Sequence, residues 1–149
     1  MKFIVAVFLC LLSTVGFAAQ TGNNGYVETK KEQTKPTLSM AKEDSEGNIV
    51  ENINIFAPGD IPIYCYIDLN STKSVTVKLN FVAVKVRGIR PNHKIIRASY
   101  KTKNDEDSVT FLGEPDKLWL VGEYRVDIFI DDKLAISKGF VVEKSKPKK

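Results

Sequence analysis

The stretch that decides the fold is Leu118-Trp119-Leu120-Val121-Gly122-Glu123-Tyr124-Arg125-Val126-Asp127-Ile128-Phe129-Ile130-Asp131-Asp132-Lys133-Leu134-Ala135-Ile136-Ser137-Lys138-Gly139-Phe140-Val141-Val142. Tyr124, Val126, Ile128 and Ile130 alternate with Arg125, Asp127 and Phe129, so a strand through them turns one largely aliphatic face to a core. Asp131-Asp132 supplies short acidic residues that tolerate a left-handed backbone, as a tight hairpin requires, and residues 133–142 return as the partner strand. The segment is expected to close a β-sandwich.

Upstream, the same period-two reading continues. Ile61, Ile63, Cys65, Ile67 and Leu69 share one parity and place Cys65 on an apolar face. Residues 49–56 carry Ile49, Ile53 and Ile55 on one parity and read as a strand that stops at the Pro58-Gly59 turn. From Val75 the inward positions are Val77, Leu79 and Phe81. The apolar side then moves to Val82, Val84 and Val86, and such a change of parity marks a bulge or a crossing between sheets. Residues 94–102 and 108–113 are shorter strands. Seven strands are thus expected between Ile49 and Val142, without an amphipathic helical period, which predicts an all-β sandwich.

The ends are of a different character. Met1-Lys2, the apolar run from Phe3 to Leu12 and Gly16-Phe17-Ala18 form a secretory signal over residues 1–18, too short in its apolar part to serve as a stable membrane anchor. Its removal leaves about 130 residues, one domain's worth. Residues 19–48 read as a flexible polar leader, with 37–42 as the one part able to form a strand, since Leu38 and Met40 alternate with polar neighbours and residues 45–48 are able to turn the chain back. The sandwich is assigned to 49–143, and 144–149 is a basic tail. A single cysteine, Cys65, survives signal cleavage, which excludes an internal disulfide and suits a bacterial periplasmic or secreted protein stabilised by an ordinary core.

Phe56-Ala57-Pro58-Gly59-Asp60-Ile61-Pro62-Ile63-Tyr64, the run Val75 to Val86, and Trp119 followed by Gly122-Glu123-Tyr124-Arg125-Val126-Asp127-Ile128-Phe129-Ile130-Asp131-Asp132-Lys133 and Phe140-Val141-Val142 together resemble secreted bacterial immunoglobulin-like or fibronectin-III-like sandwich domains. The resemblance covers most of residues 49–142 and is one of architecture, with no catalytic motif attached. It implies that Tyr124 occupies the place of a corner tyrosine, whose hydroxyl bonds back to the preceding backbone. The chain departs from antibody-type domains in having Trp119 at the corner, no tryptophan on the third strand and no disulfide between the sheets.

Chemistry has few residues to work with. Cys65 on an apolar face is expected to be an inert thiol, and His93 stands in a turn among Arg90, Lys94 and Arg97. Without a nucleophile beside a base, or three or four metal ligands at suitable spacing, the chain is expected to be no enzyme and to carry no cofactor or metal. The acidic turns at 105–107 and 131–132 read as turn formers before they read as calcium ligands.

Charge is more informative. The chain has 22 basic and 18 acidic residues, a net +4 that loses one with Lys2, yet no acid lies between Asp68 and Asp105 whereas nine cations do. Arg87, Arg90, Lys94 and Arg97 surround a proline-containing turn and are the candidate site for an anionic partner, an envelope protein or an anionic cell-surface polymer. Nucleic acid is not expected, because the chain is exported and no array of stacking aromatics accompanies these charges. The functional expectation is a non-catalytic binding or adaptor module of the envelope. The alternative is a carrier of a small apolar or lipid-like ligand between the sheets. No signal specifies an oligomeric state.

Overall fold

The computed structural model describes residues 35–144. Within them nine strands follow one another: β1 (Thr37–Glu43), β2 (Ile49–Glu51), β3 (Ile55–Phe56), β4 (Ile63–Asp68), β5 (Thr76–Val86), β6 (His93–Lys101), β7 (Ser108–Gly113), β8 (Gly122–Ile130) and β9 (Lys133–Val142). They form two sheets, ordered β2-β1-β4-β7 and β3-β9-β8-β5-β6, packed as an all-β sandwich. All pairings are antiparallel except that of β3 with β9. The described residues form strands and turns, and among them no helix is long and apolar enough to cross a membrane.

The β8–β9 hairpin is built as its sequence dictates. Tyr124, Val126 and Ile128 are buried and Ile130 packs half-buried against the core. Ile130 pairs with Lys133, so Asp131 and Asp132 are the whole loop, and both take positive φ (47° and 65°). Two consecutive left-handed residues match the right-handed twist of the flanking strands, and aspartate tolerates this conformation better than most residues. Asp131 also accepts a hydrogen bond from the Thr76 amide at 2.9 Å, which ties the turn to the start of β5.

Between the sheets, Met40, Ile63, Cys65 and Ile67 of one layer meet Val77, Leu79, Phe81, Val126, Ile128 and Val142 of the other, all without solvent exposure. Each such side chain contributes about 1.5–3 kcal/mol relative to its exposed state. At one end Phe56, Phe81, Trp119, Tyr124 and Phe140 form an aromatic cluster with centroid separations of 5.2 to 5.9 Å. The sheets approach closely there: a Cβ on Gly113 of β7 would lie 2.5 Å from the Phe81 ring of β5, so only glycine fits. The Tyr124 hydroxyl donates to the Leu120 carbonyl at 2.7 Å, the bond expected of a corner tyrosine.

Two expectations need correction. Of the polar leader assigned to 19–48, residues 37–43 are ordered into the sheet, where 37–42 was the one part read as able to form a strand: β1 lies between β2 and β4, with Leu38 opposite Ile67 and Met40 opposite Cys65. Ladder bonds on both flanks, together with burial of Leu38, Met40 and Ala41, offset the polar composition. The signal at 1–18, the leader up to residue 34 and the tail from residue 145 lie outside the described residues.

The strand read over 49–56 is two strands in different sheets. The chain leaves β2 at Asn52, where φ is 58°, and joins the opposite layer as β3. Ile49 and Ile55 are consequently exposed, at 42% and 53%, while Phe56 is buried. A single period of two does not run through a sheet crossing.

Candidate anion-binding site

The turn between β5 and β6 is held by short backbone bonds. The Ile89 amide donates to the Val86 carbonyl, that of Asn92 to Ala83 at 2.7 Å and that of His93 to Arg90. Gly88 and Asn92 take positive φ, 82° and 60°, the residue types that do so at least cost. From β8, Arg125 reaches across the sheet and donates Nη1 to the Asn92 side-chain oxygen at 2.7 Å, while its Nε donates to the Asp127 carboxylate at 3.0 Å. Asp127 accepts a further bond from Ser137 Oγ at 2.7 Å. The turn is therefore anchored to the sheet it projects from.

Arg90, Lys94 and Arg97, with Pro91, Asn92 and His93, line a surface cleft of about 350 Å³. Three of the four candidate cations thus come together. Arg87 is exposed on the same turn but does not line the cleft.

In a regular strand residues 94 and 97 point to opposite faces. They share one here because β6 bulges: Phe81 pairs with Ile96 and Val82 with Lys94, leaving Ile95 as an extra residue. The expected parity change in β5 comes later than its sequence reads: Ala83 still shares the core with Phe81, and the inward side then passes to Val86 across a bulge at Val84, which lies between the pairs Ala83–Tyr124 and Lys85–Glu123.

Among the described residues the ion pairs are Lys42–Asp60, Lys78–Asp132 and Arg125–Asp127, so none of Arg90, Lys94 and Arg97 has an acidic partner. Cations brought together without counter-charges raise the local potential, and an anion relieves it.

The groups able to do covalent chemistry do not meet. Cys65 is fully buried in β4, and burial pushes its thiol up to about 12, against a smaller opposing pull from the Lys138 charge. His93 is exposed at the start of β6, in the other sheet. Among the described residues no three histidines, cysteines or carboxylates gather as metal ligands. The acids of the turns are engaged in turn formation: Glu106 accepts from the Lys103 amide at 2.9 Å, and Asp132 pairs with Lys78.

A second groove, of about 400 Å³, adjoins the first on the outer face of the five-stranded sheet and shares Lys94 and Arg97 with it. Its other walls include Lys78, Asn80, Ser99 and Phe129. Sequence reasoning passed over Asn80, since a lone asparagine at an outward strand position has the appearance of ordinary surface. No known protein family and no curated protein matches the chain.

Proposed function

We propose that the chain is an exported, non-catalytic binding module of the bacterial envelope, which takes an anionic partner at the turn bearing Arg90, Lys94 and Arg97. The observation that carries this reading is the gathering of these three cations, without acidic partners among the described residues, around one cleft. Export is supported by the sequence of residues 1–18. An immunoglobulin-like or fibronectin-III-like type is supported by the run β9-β8-β5, equivalent to strands G, F and C of such sandwiches, by β1-β4 as A and B, and by the Tyr124–Leu120 bond. The partner is an acidic envelope protein or an anionic cell-surface polymer.

Titration with dextran sulfate tests this reading. The triple change Arg90→Ser, Lys94→Ser, Arg97→Ser is expected to weaken binding roughly tenfold or more and to flatten its salt dependence, on the basis of up to about 1 kcal/mol per exposed charge pair. Arg87→Ser, outside the cleft, is expected to change affinity less than about twofold. Unchanged affinity in the triple variant would dismiss the site.

A further inference from the structure

The two grooves are one continuous surface, because Lys94 and Arg97 line both. From Lys94 to Ser99 this surface follows β6 for roughly 15 Å at the usual rise per strand residue. It begins at unpaired cations and passes onto Asn80 of β5 and the half-buried ring of Phe129 in β8.

Asn80 is the informative residue. It is only 9% exposed, and it lines the groove. Its neighbour across the sheet is Asp127, but that carboxylate is taken by Arg125 Nε and Ser137 Oγ. Among the described residues the Asn80 amide has no protein hydrogen-bond partner. Its amide donors and acceptor open onto the groove, and a ligand carrying adjacent hydroxyls would engage both kinds of group at once.

Resting on the anion-binding reading above, we propose that this surface holds a linear acidic glycan, a polyuronate in chemical class. Its carboxylates meet Arg90, Lys94 and Arg97. A neighbouring sugar packs its C–H face on Phe129 and exchanges hydrogen bonds with Asn80, whose N–H donates to one hydroxyl and whose carbonyl accepts from another. Guanidinium groups favour carboxylates through paired N–H donors. The apolar ring and the neutral amide distinguish a sugar chain from a simple polyanion, which needs only charge. Single-stranded nucleic acid needs successive stacking platforms, and the groove offers one ring.

The test is calorimetric titration of the full chain with hexagalacturonate, monomeric galacturonate, maltohexaose and oligo(dT). Hexagalacturonate is expected to bind at least about tenfold more tightly than the monomer, since the longer chain engages both grooves. Asn80→Ala and Phe129→Leu are each expected to lower its affinity about five- to tenfold. Neither is expected to lower the melting temperature: the Asn80 amide has no protein partner to lose, and leucine keeps an apolar contact. If both variants bind hexagalacturonate as the parent does while the triple cation variant fails, the glycan assignment falls and the anion site stands. If the triple variant also binds normally, the anion-binding reading itself is lost. Oligo(dT) or maltohexaose binding as tightly as hexagalacturonate would equally overturn the assignment.

Discussion

At the centre of the five-stranded sheet, where β5 pairs with β8, residues on both faces are shielded from water, by different means. On the inner face Leu79, Phe81, Val126 and Ile128 are covered by the opposing sheet and carry no polar side-chain atom. On the outer face Asn80 and Asp127, at 9% and 8% exposure, are covered by their strand neighbours and by long side chains such as Arg125. Burial on the inner face is apolar area and translates directly into stability. Burial on the outer face is of polar groups, which contribute only when partnered. Asp127 has its partners, Asn80 has none, and the alternation of β5 thus separates residues that hold the fold from residues free to recognise something.

The most severe way to strain this separation is Phe81→Ala. Phe81 touches Trp119 and Phe140 and receives Gly113 from the facing sheet, so truncation opens a cavity at the closest approach of the layers. A loss of about 3–5 kcal/mol is expected in denaturant unfolding. Protein still folded should bind the anionic probe as before. A changed affinity per folded molecule would show that the two faces are coupled through β5.

A milder inner-face test is Tyr124→Phe. The hydroxyl donates to the Leu120 carbonyl and ties the β7–β8 connection, whose Trp119 amide also donates to the Pro58 carbonyl at 3.0 Å. Removing it costs about 1 kcal/mol, or roughly 4 °C in melting temperature for a domain near this size. An unchanged melting temperature would show that the aromatic cluster alone holds the corner.

How much of this was legible from residues alone follows the same division. Tyr124, Val126 and Ile128 announce the inner face because period two and apolarity coincide, and Asp131-Asp132 announces the turn because few residues accept two left-handed conformations in a row. Cys65 was placed by the parity of its neighbours. The crossing at Asn52 left no such mark, since Ile49, Ile53 and Ile55 keep a regular spacing while the chain changes sheets. β1 was legible only in the alternation of Leu38 and Met40, and its polar neighbours set it within the leader, because ladder bonding on two sides leaves no trace in composition. The excess of cations between Asp68 and Asp105 was plain to read. That Lys94 and Arg97 share a face was not, for it depends on Ile95 bulging out of β6. Asn80 was hidden for the opposite reason: its burial is a property of β6 and β8 on either side of it.

The smallest expected effect on stability probes the one acid that lines the second groove. Asp132, 80% exposed, pairs with Lys78 and sits at φ 65° in the hairpin turn. Asp132→Gly removes an exposed ion pair of roughly 0–1 kcal/mol. It also relieves a left-handed aspartate, since glycine adopts positive φ without steric cost. These opposing contributions leave a net change below about 0.5 kcal/mol, checked by thermal melts at low and high salt. On the outer face the same change has a definite sign: it frees the Lys78 ammonium and takes a negative charge from the groove, so affinity for an anionic ligand should rise about two- to threefold at low salt. Weaker binding at unchanged stability would mean that Lys78 serves to hold the turn, and that recognition ends at Arg97.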